Sequence, residues 1–198
     1  MNKTLDFSLS DEEQAILASI ARLAVEDGLA GRDAWLSDIK GRPDIAAEPE
    51  ESVLRAKHGA FVTLHKQGRL RGCIGSLMPR EPLYVTVGRM AQAAAFHDSR
   101  FPPLRPEEWA GVNLEISVLS LPKLCPNPEL IEVGRHGLVL AWRGRSGVFL
   151  PQVPVEQGWN LSQYLEALCG KAGLPPGSWK QPGAELYWFE ALVFQAGD

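Results

Sequence analysis

The residues with most capacity for chemistry lie in "LRGCIGSLMPREP", Leu70 to Pro82, where Cys73 follows Arg71 and Gly72 and is itself followed closely by Gly75. A thiol becomes a nucleophile when nearby positive charge or a helix N-terminus stabilises its thiolate. Arg69, Arg71 and a helix expected to open at Pro82 would supply both. Glycines at 72 and 75 would leave the backbone uncovered, so that a substrate could come close and take hydrogen bonds from its N–H groups. The same residues also fit a small, inert cysteine packed in a strand, with Gly75 marking a bulge.

A nucleophile needs a proton acceptor, and nucleophile and base usually come from distant parts of a chain. His97 stands beside Asp98 and just before Arg100, a combination that could orient an imidazole while the arginine holds an anion. His136 sits at a strand entrance between Arg135 and Gly137. Either histidine could meet Cys73 in space, and either could equally be a polar loop residue. His58 and His65 lie in or beside a strand among apolar or basic neighbours. Glu115 is a buried polar residue of the sheet if it faces a cleft and ordinary if it faces water, and it is kept as a catalytic candidate. Cys125, next to Pro126, reads as a loop residue, and Cys169, on an apolar helix face, reads as core. The six tryptophans, Trp159, Trp179 and Trp188 among them, read as core and edge packing.

The elements that must position these groups can be read from spacing. Ser10 and Glu13 form an S-x-x-E capping box, and Ile16, Ile20 and Leu23 then mark one face of a helix that stops near Gly28. "GRPDIAAEPE", from Gly41 to Glu50, mixes glycine, proline and acids without apolar periodicity and predicts a long loop. "GAFVTLHKQGRLRGCIGSL" from Gly59 predicts a hairpin with Gln67 and Gly68 as its turn. Period-two alternation then places Arg69, Arg71 and Cys73 on one face, with Leu70, Gly72 and Ile74 on the other. Pro82 opens a helix whose buried side is Leu83, Val87, Met90 and Ala94, running through Phe96. "HDSRFPPLRP" follows as a proline-rigid loop. "VNLEISVLS", Val112 to Ser120, alternates with Leu114, Ile116 and Val118 inward and Glu115 outward. A second hairpin spans Gly137 to Leu150 with "RGRSG" as its turn. Asn160 and Gln163 cap a helix carrying Leu161, Tyr164, Leu165 and Leu168, which ends before Gly173, and "AELYWFEALVF" predicts a last strand. Hairpins with a few covering helices predict an α+β fold of largely antiparallel sheets.

The 198 residues suffice for one generous domain or two small interlocked subdomains. With 45% hydrophobic and 22% charged residues the chain is neither disordered nor a coiled coil. Apolar runs fall well short of the roughly 20 residues that cross a bilayer, and the start "MNKTLDFSLSDEEQ" has no apolar signal core, so a cytoplasmic protein without a membrane partner is expected. Three scattered cysteines form no disulfide framework, and no clustered Cys/His spacing points to a metal. No cofactor is named by any motif. The net charge of −4 gives no general attraction to nucleic acid. From Lys66 to Arg105, however, seven basic residues (Lys66, Arg69, Arg71, Arg80, Arg89, Arg100, Arg105) face two acidic ones, Glu81 and Asp98, which is either a set of solvated arginines or an anion-attracting cleft.

"GAFVTL", "LRGCIG", "SRFPPL", "EISVLS", "GRHGL", "LPQVP", "GW" and "KAGLP" occur in the order found in the AMMECR family, the A component of the AmmeMemoRadiSam system, which the chain resembles from about Gly59 to Phe194 by motif and at the initial helix by position. It departs from the pattern at Ser99, where the family usually has proline, and at His58, where an arginine is common. The resemblance implies a single α+β domain over residues 1–198 in two interlocked subdomains, with the hairpin–helix segment of about 59–105 carrying "LRGCIG". It implies a polar site at Arg71, Cys73, Asp98, Arg100, Glu115, His136 and Gln152. It also implies companions, a Memo-type protein and a radical SAM protein, and no particular reaction.

Two readings follow. In the first the protein is an enzyme: Cys73 is the thiolate or substrate-holding thiol, Arg71 and Arg100 bind a small anionic substrate, His136 or His97 moves the proton, and Gly72, Gly75, Asp98, Glu115 and Gln152 complete the site. In the second it is a non-catalytic adaptor that binds its companions through the "LRGCIG" surface. RNA binding through the basic segment is a third reading, which the acidic total disfavours.

Overall fold

In the computed structural model, which describes residues 7–49 and 52–196, the chain forms two compact units. One comprises the residues up to Leu119 and those from Leu192 on; the other is Ser120–Ala191. Each has its own four-stranded sheet and its own apolar core, in keeping with the α+β expectation. Among the described residues no helix is long and apolar enough to cross a membrane.

The first unit opens with α1 (Asp11–Leu29), started by the Ser10/Glu13 capping box as its spacing predicts. Two short helices follow, α2 (Trp35–Lys40) and α3 (Pro43–Ala46). The second lies inside the stretch expected to be a loop, whose last residue, Glu50, falls outside the described residues. One turn forms there because Pro43 presets the first helical position and Ile45 is buried, while Arg42 and Asp44 pair across the start. The hairpin then forms from β1 (Ala60–Lys66) and β2 (Arg69–Ser76), with Gln67 and Gly68 at φ of 52° and 73°, the positive values that a two-residue turn between twisted strands requires. Helix α4 (Leu83–Phe96), the one-turn α5 (Pro106–Trp109) and β3 (Val112–Leu119) complete this part. After the second unit the chain returns as β8 (Ala191–Ala196), giving the sheet order β2-β1-β3-β8 with β1 antiparallel to both neighbours. Leu17, Ile20 and Ala24 of α1, Val87 and Ala91 of α4, and Val62, Leu64, Leu114 and Ile116 of the sheet form one buried cluster. One face of the sheet is therefore covered by helices, and the alternate residues Thr63 and Glu115 stand on the other.

The second unit has the sheet order β4-β7-β5-β6, built from β4 (Lys123–Leu124), β5 (Gly137–Trp142), β6 (Arg145–Phe149) and β7 (Glu185–Phe189). Its helices are α6 (Gln152–Glu156) and α7 (Leu161–Lys171), the latter capped by Asn160 and Gln163 as expected. Only Arg143 and Gly144 of "RGRSG" are turn; Arg145 to Gly147 already pair in β6. The single last strand expected over "AELYWFEALVF" is two: β7 belongs to this sheet and β8 to the other. Glu190 separates them, its N–H donating to Ser120 Oγ and its carbonyl accepting from Ser120 N–H, so those two backbone groups pair with one residue instead of with a continuing ladder.

Candidate functional site

The hairpin ladder is not regular. Lys66 faces Arg69 and His65 faces Leu70, but Leu64 faces Gly72 and Thr63 faces Cys73, so Arg71 is an extra residue in β2. Directly paired residues share a face. Arg69 thus shares Lys66's face, and Cys73 shares the outward face of Thr63 and Glu115, themselves partners across β1 and β3. The alternation expected from the sequence, with both arginines beside the thiol, is broken by this bulge.

Arg71 turns instead to α5. Its Nε and Nη2 donate to the two oxygens of Glu108 at 3.1 and 3.0 Å, and Lys66 Nζ shares Oε1 at 3.1 Å. These cations, Arg71 first, hold the Glu108 carboxyl down at about 2. Arg71 Nη1 is buried and has no hydrogen-bond partner.

The guanidinium that does reach Cys73 is Arg100. Its Nη2 donates to the Cys73 carbonyl at 3.1 Å, while Cys73 N–H donates to Asp98 Oδ2 at 2.9 Å. Asp98 in turn accepts from Arg100 N, Nε and Nη2 at 3.1, 2.9 and 2.7 Å. β2 is an edge strand, and this carboxylate–guanidinium fork satisfies both backbone groups of Cys73 that a further strand would otherwise bind. Asp98 is 5% exposed, and Arg100 holds its carboxyl far below the usual carboxylate range. With both oxygens engaged, Asp98 does not orient His97, whose exposed side chain has no hydrogen-bond partner among the described residues.

The thiol itself is half-buried, and Thr63 Oγ1 donates to its Sγ at 3.2 Å. Burial pushes the thiol up; the Thr63 hydroxyl and Arg100 act against that shift, and Asp98 and Glu115 add to it. The expected depression of the thiol by Arg71 and a helix N-terminus is therefore overturned. The α4 N–H groups of Leu83 and Tyr84 are taken by the carbonyls of Ala56 and Leu54, and it is the other end of α4, at Ala94, that packs on Gly72. Leu83 lies eleven residues from Ala94, about 16 Å along a helix. Glu115, outward as predicted, accepts from Gln195 Nε2 of β8 at 2.9 Å. Cys73, Thr63, Glu115 and Gln195 thus form one polar row across the four strands.

The backbone at the two glycines is not open to a substrate. A Cβ on Gly72 would lie 2.2 Å from the Ala94 carbonyl oxygen, and one on Gly75 would lie 2.2 Å from the Phe61 ring. Both glycines are there so that an α4 carbonyl and an aromatic ring can lie against the strand.

The chain is similar to known proteins over nearly its whole length. The AMMECR1 family model matches residues 21–194. The chain belongs to the AMMECR1 family. A relative from Methanopyrus kandleri is 42% identical over 187 residues, covering 88% of this chain and 90% of that one. Another, from Methanocaldococcus jannaschii, is 39% identical over 195 residues, covering 94% and 92%. The crystal structure of an uncharacterized protein from Pyrococcus horikoshii is similar at 37% identity with a TM-score of 0.81, over 96% of this chain and 94% of that one.

Of the positions that the AMMECR1 resemblance joins in one site, Cys73, Asp98, Arg100 and Glu115 come together in the first unit. His136 and Gln152 belong to the second. There His136 is buried: its Nδ1 accepts from Glu132 N–H at 3.0 Å, its Nε2 stands 3.8 Å from Glu190 Oε1, and its ring tilts against Trp188 with centroids 4.5 Å apart. Glu190 also takes the Arg135 guanidinium. Gln152 is half-buried at the start of α6. Among the described residues, no group of three or more His, Cys, Asp or Glu side chains is arranged to hold a metal. Sequence reasoning missed Thr63, Glu108 and Gln195. An unbroken ladder from the Gln67–Gly68 turn puts Val62 opposite Cys73, so only the bulge reveals Thr63.

Proposed function

We propose that this AMMECR1-family protein is a cytoplasmic pathway enzyme whose working group is the Cys73 thiol, acting on a small substrate that carries an electrophilic carbon and an anionic group. The observation that supports this is the alignment of a thiol, a hydroxyl and a carboxylate (Cys73, Thr63, Glu115) across adjacent strands, with Arg100 beside them and 56% exposed. The thiol is protonated at neutral pH, because burial raises it. When the sulfur attacks, the S–C bond forms as the bond from the electrophilic carbon to its leaving group breaks, the leaving group departs with the electron pair, and the thiol proton goes to Glu115 on the same face of the sheet, whose carboxylate Gln195 keeps in place. Arg100 holds the anionic group. Arg71, engaged with Glu108, supports the strand that carries the thiol. Memo-type and radical SAM proteins are the partners in this pathway, a part of the reading that rests on the family resemblance alone.

The test is alkylation of Cys73, read by mass spectrometry of its peptide. Iodoacetamide modifies it more slowly than a free thiol at pH 7. Iodoacetate, which carries an anion, gains relative to iodoacetamide by several-fold over the ratio for a free thiol, and Arg100→Gln loses that gain while Arg100→Lys keeps part of it. A reagent ratio equal to that of a free thiol refutes the anionic-substrate reading.

A second reading, the adaptor, is favoured by two exposed apolar side chains, Leu70 near the start of β2, 42% exposed, and Met78, two residues past its end, 74% exposed. On that reading Leu70→Ser with Met78→Ser abolishes co-purification of the Memo-type or radical SAM protein, and Cys73→Ser leaves it intact.

A further inference from the structure

In the first unit Lys66 and Arg71 are paired with Glu108, Arg89 with Glu81 and Arg100 with Asp98, while Arg69, Arg80 and Arg105 of the same basic run have no ion-pair partner among the described residues. In the second unit Arg143, Arg145, Lys171 and Lys180 are all exposed, and none has an ion-pair partner among the described residues. Three of them lie over aromatic rings: Arg143 4.2 Å from the centroid of Trp142, Lys180 4.7 Å from that of Trp179, and Lys171 5.7 Å from that of Phe149.

Arg143, Arg145 and Lys180 gather near the β5–β6 turn, and Lys171 lies farther along β6, over Phe149. Trp142 faces Arg145 across the β5–β6 turn, and its Nε1 donates to the Pro182 carbonyl, two residues after Lys180. Arg145 Nη1 donates to the carbonyl of Gly173, two residues after Lys171. Glu166, on the same helix as Lys171, has both oxygens taken by Gly177 N–H and Trp179 Nε1 at 2.8 and 3.1 Å. Glu185, opposite Ala141 and one register step from Trp142, is a carboxylate on this end of the sheet.

We infer that this end of the second unit is a docking surface for single-stranded nucleic acid, with Arg143, Arg145, Lys171 and Lys180 on the phosphates and a base stacked on the Arg143–Trp142 pair. Phosphate contacts need cations spaced along a surface and not held in ion pairs, and none of the four here is in an ion pair among the described residues. Sequence-tolerant single-strand binding also needs flat π surfaces, which a guanidinium laid over an indole extends. An acidic polypeptide would use the charges and leave the rings unused. Nothing in this surface involves Cys73, so the inference goes beyond the proposed function and stands or falls separately from it.

The experiment is fluorescence anisotropy of a 5′-labelled 12-mer of uridylate, with the full chain titrated in at 50 to 200 mM salt. Three to four phosphate contacts predict about 20- to 50-fold weakening over that range. Thymidylate of the same length binds within a few-fold, and a 12-base-pair duplex binds more weakly. The double variant R143E/R145E loses at least about tenfold at 50 mM and flattens the salt slope, K171Q/K180Q does so in part, and W142F, which keeps the ring but loses the bond to Pro182, binds more weakly with an unchanged slope. Cys73→Ser binds like the parent. The inference is overturned by no binding at 50 mM salt, by a flat salt response, by R143E/R145E binding normally while folded as judged by circular dichroism, or by polyglutamate displacing the oligonucleotide at equal charge concentration.

Discussion

Asp98→Asn is the most informative single change in the first unit. Asp98 Oδ1 accepts from Arg100 N and Nε, and Oδ2 accepts from Cys73 N–H and Arg100 Nη2. Whichever way the amide turns, its NH2 replaces an oxygen that served two donors. Two charge-assisted hydrogen bonds are lost, and two N–H groups face a third donor. Breaking a buried ion pair costs about 3–5 kcal/mol. Arg100 is more than half exposed and regains water, so the cost here falls to about 2–3 kcal/mol. At about 2–4 °C per kcal/mol for a chain of this size, the first unit's melting transition drops by about 4–12 °C at pH 7.

The pH dependence follows from the direction of the Asp98 shift. The carboxyl is held below its unfolded value, near 3.9, so its contribution to stability is fully present above that value and is lost as pH falls towards the folded one. The gap between parent and Asp98→Asn, followed by calorimetry from pH 7 down to pH 3, therefore narrows below about pH 4. A double-mutant cycle with Arg100→Gln isolates the pair and gives a coupling of at least about 1 kcal/mol. A melting temperature within 2 °C of the parent (about 1 kcal/mol or less), or a gap that stays constant down to pH 3, refutes the reasoning.

Three further outcomes follow from the same region. Gly72→Ala destabilises by at least about 1–3 kcal/mol in urea unfolding, because the new methyl meets the Ala94 backbone, whereas the Gly75→Ala deficit is relieved by Phe61→Ala, which removes the ring that the methyl meets. Glu108→Gln leaves Lys66 and Arg71 without their shared anion; since Glu108 is lowered to about 2, its stability deficit is full at pH 7 and shrinks between about pH 4.3 and pH 2. Thr63→Val removes the hydroxyl that acts against the raised thiol, so iodoacetamide labelling of Cys73 slows at pH 8, and an unchanged rate refutes the assigned Thr63–Sγ hydrogen bond.

What was legible in the sequence was local. The Ser10/Glu13 and Asn160/Gln163 boxes announce α1 and α7 because both partners of each cap lie within four residues, and "VNLEISVLS" announces its faces because a strand's period depends only on itself. What was not legible depended on other parts of the chain. "AELYWFEALVF" reads as one strand by composition, and only the pairing of Glu190 with Ser120, seventy residues away, divides it between two sheets. Arg71 beside Cys73 reads as an activating charge until Glu108, thirty-seven residues on, claims its guanidinium.

The bulge at Arg71 decides more than either. Continued without interruption from the Lys66–Arg69 pair, the ladder would set Cys73 against Val62 and turn the thiol into the helix-covered core, with Gly72 outward. One extra residue reverses both. Gly72 turns inward, where only a residue without a side chain admits the Ala94 carbonyl, and Cys73 turns outward to Thr63 and Glu115. The order Arg71-Gly72-Cys73 thus reads as a single geometric unit: a bulge residue anchored to Glu108, a glycine that lets α4 close on the strand, and a thiol delivered to the polar face. Its edge backbone is then closed by Asp98 and Arg100, which fixes the strand where a bulge would otherwise loosen it. A cysteine needed only to fill space would sit as well opposite Val62. The arrangement that turns it away from the core is what sets the thiol beside the Thr63 hydroxyl on the polar face of the sheet.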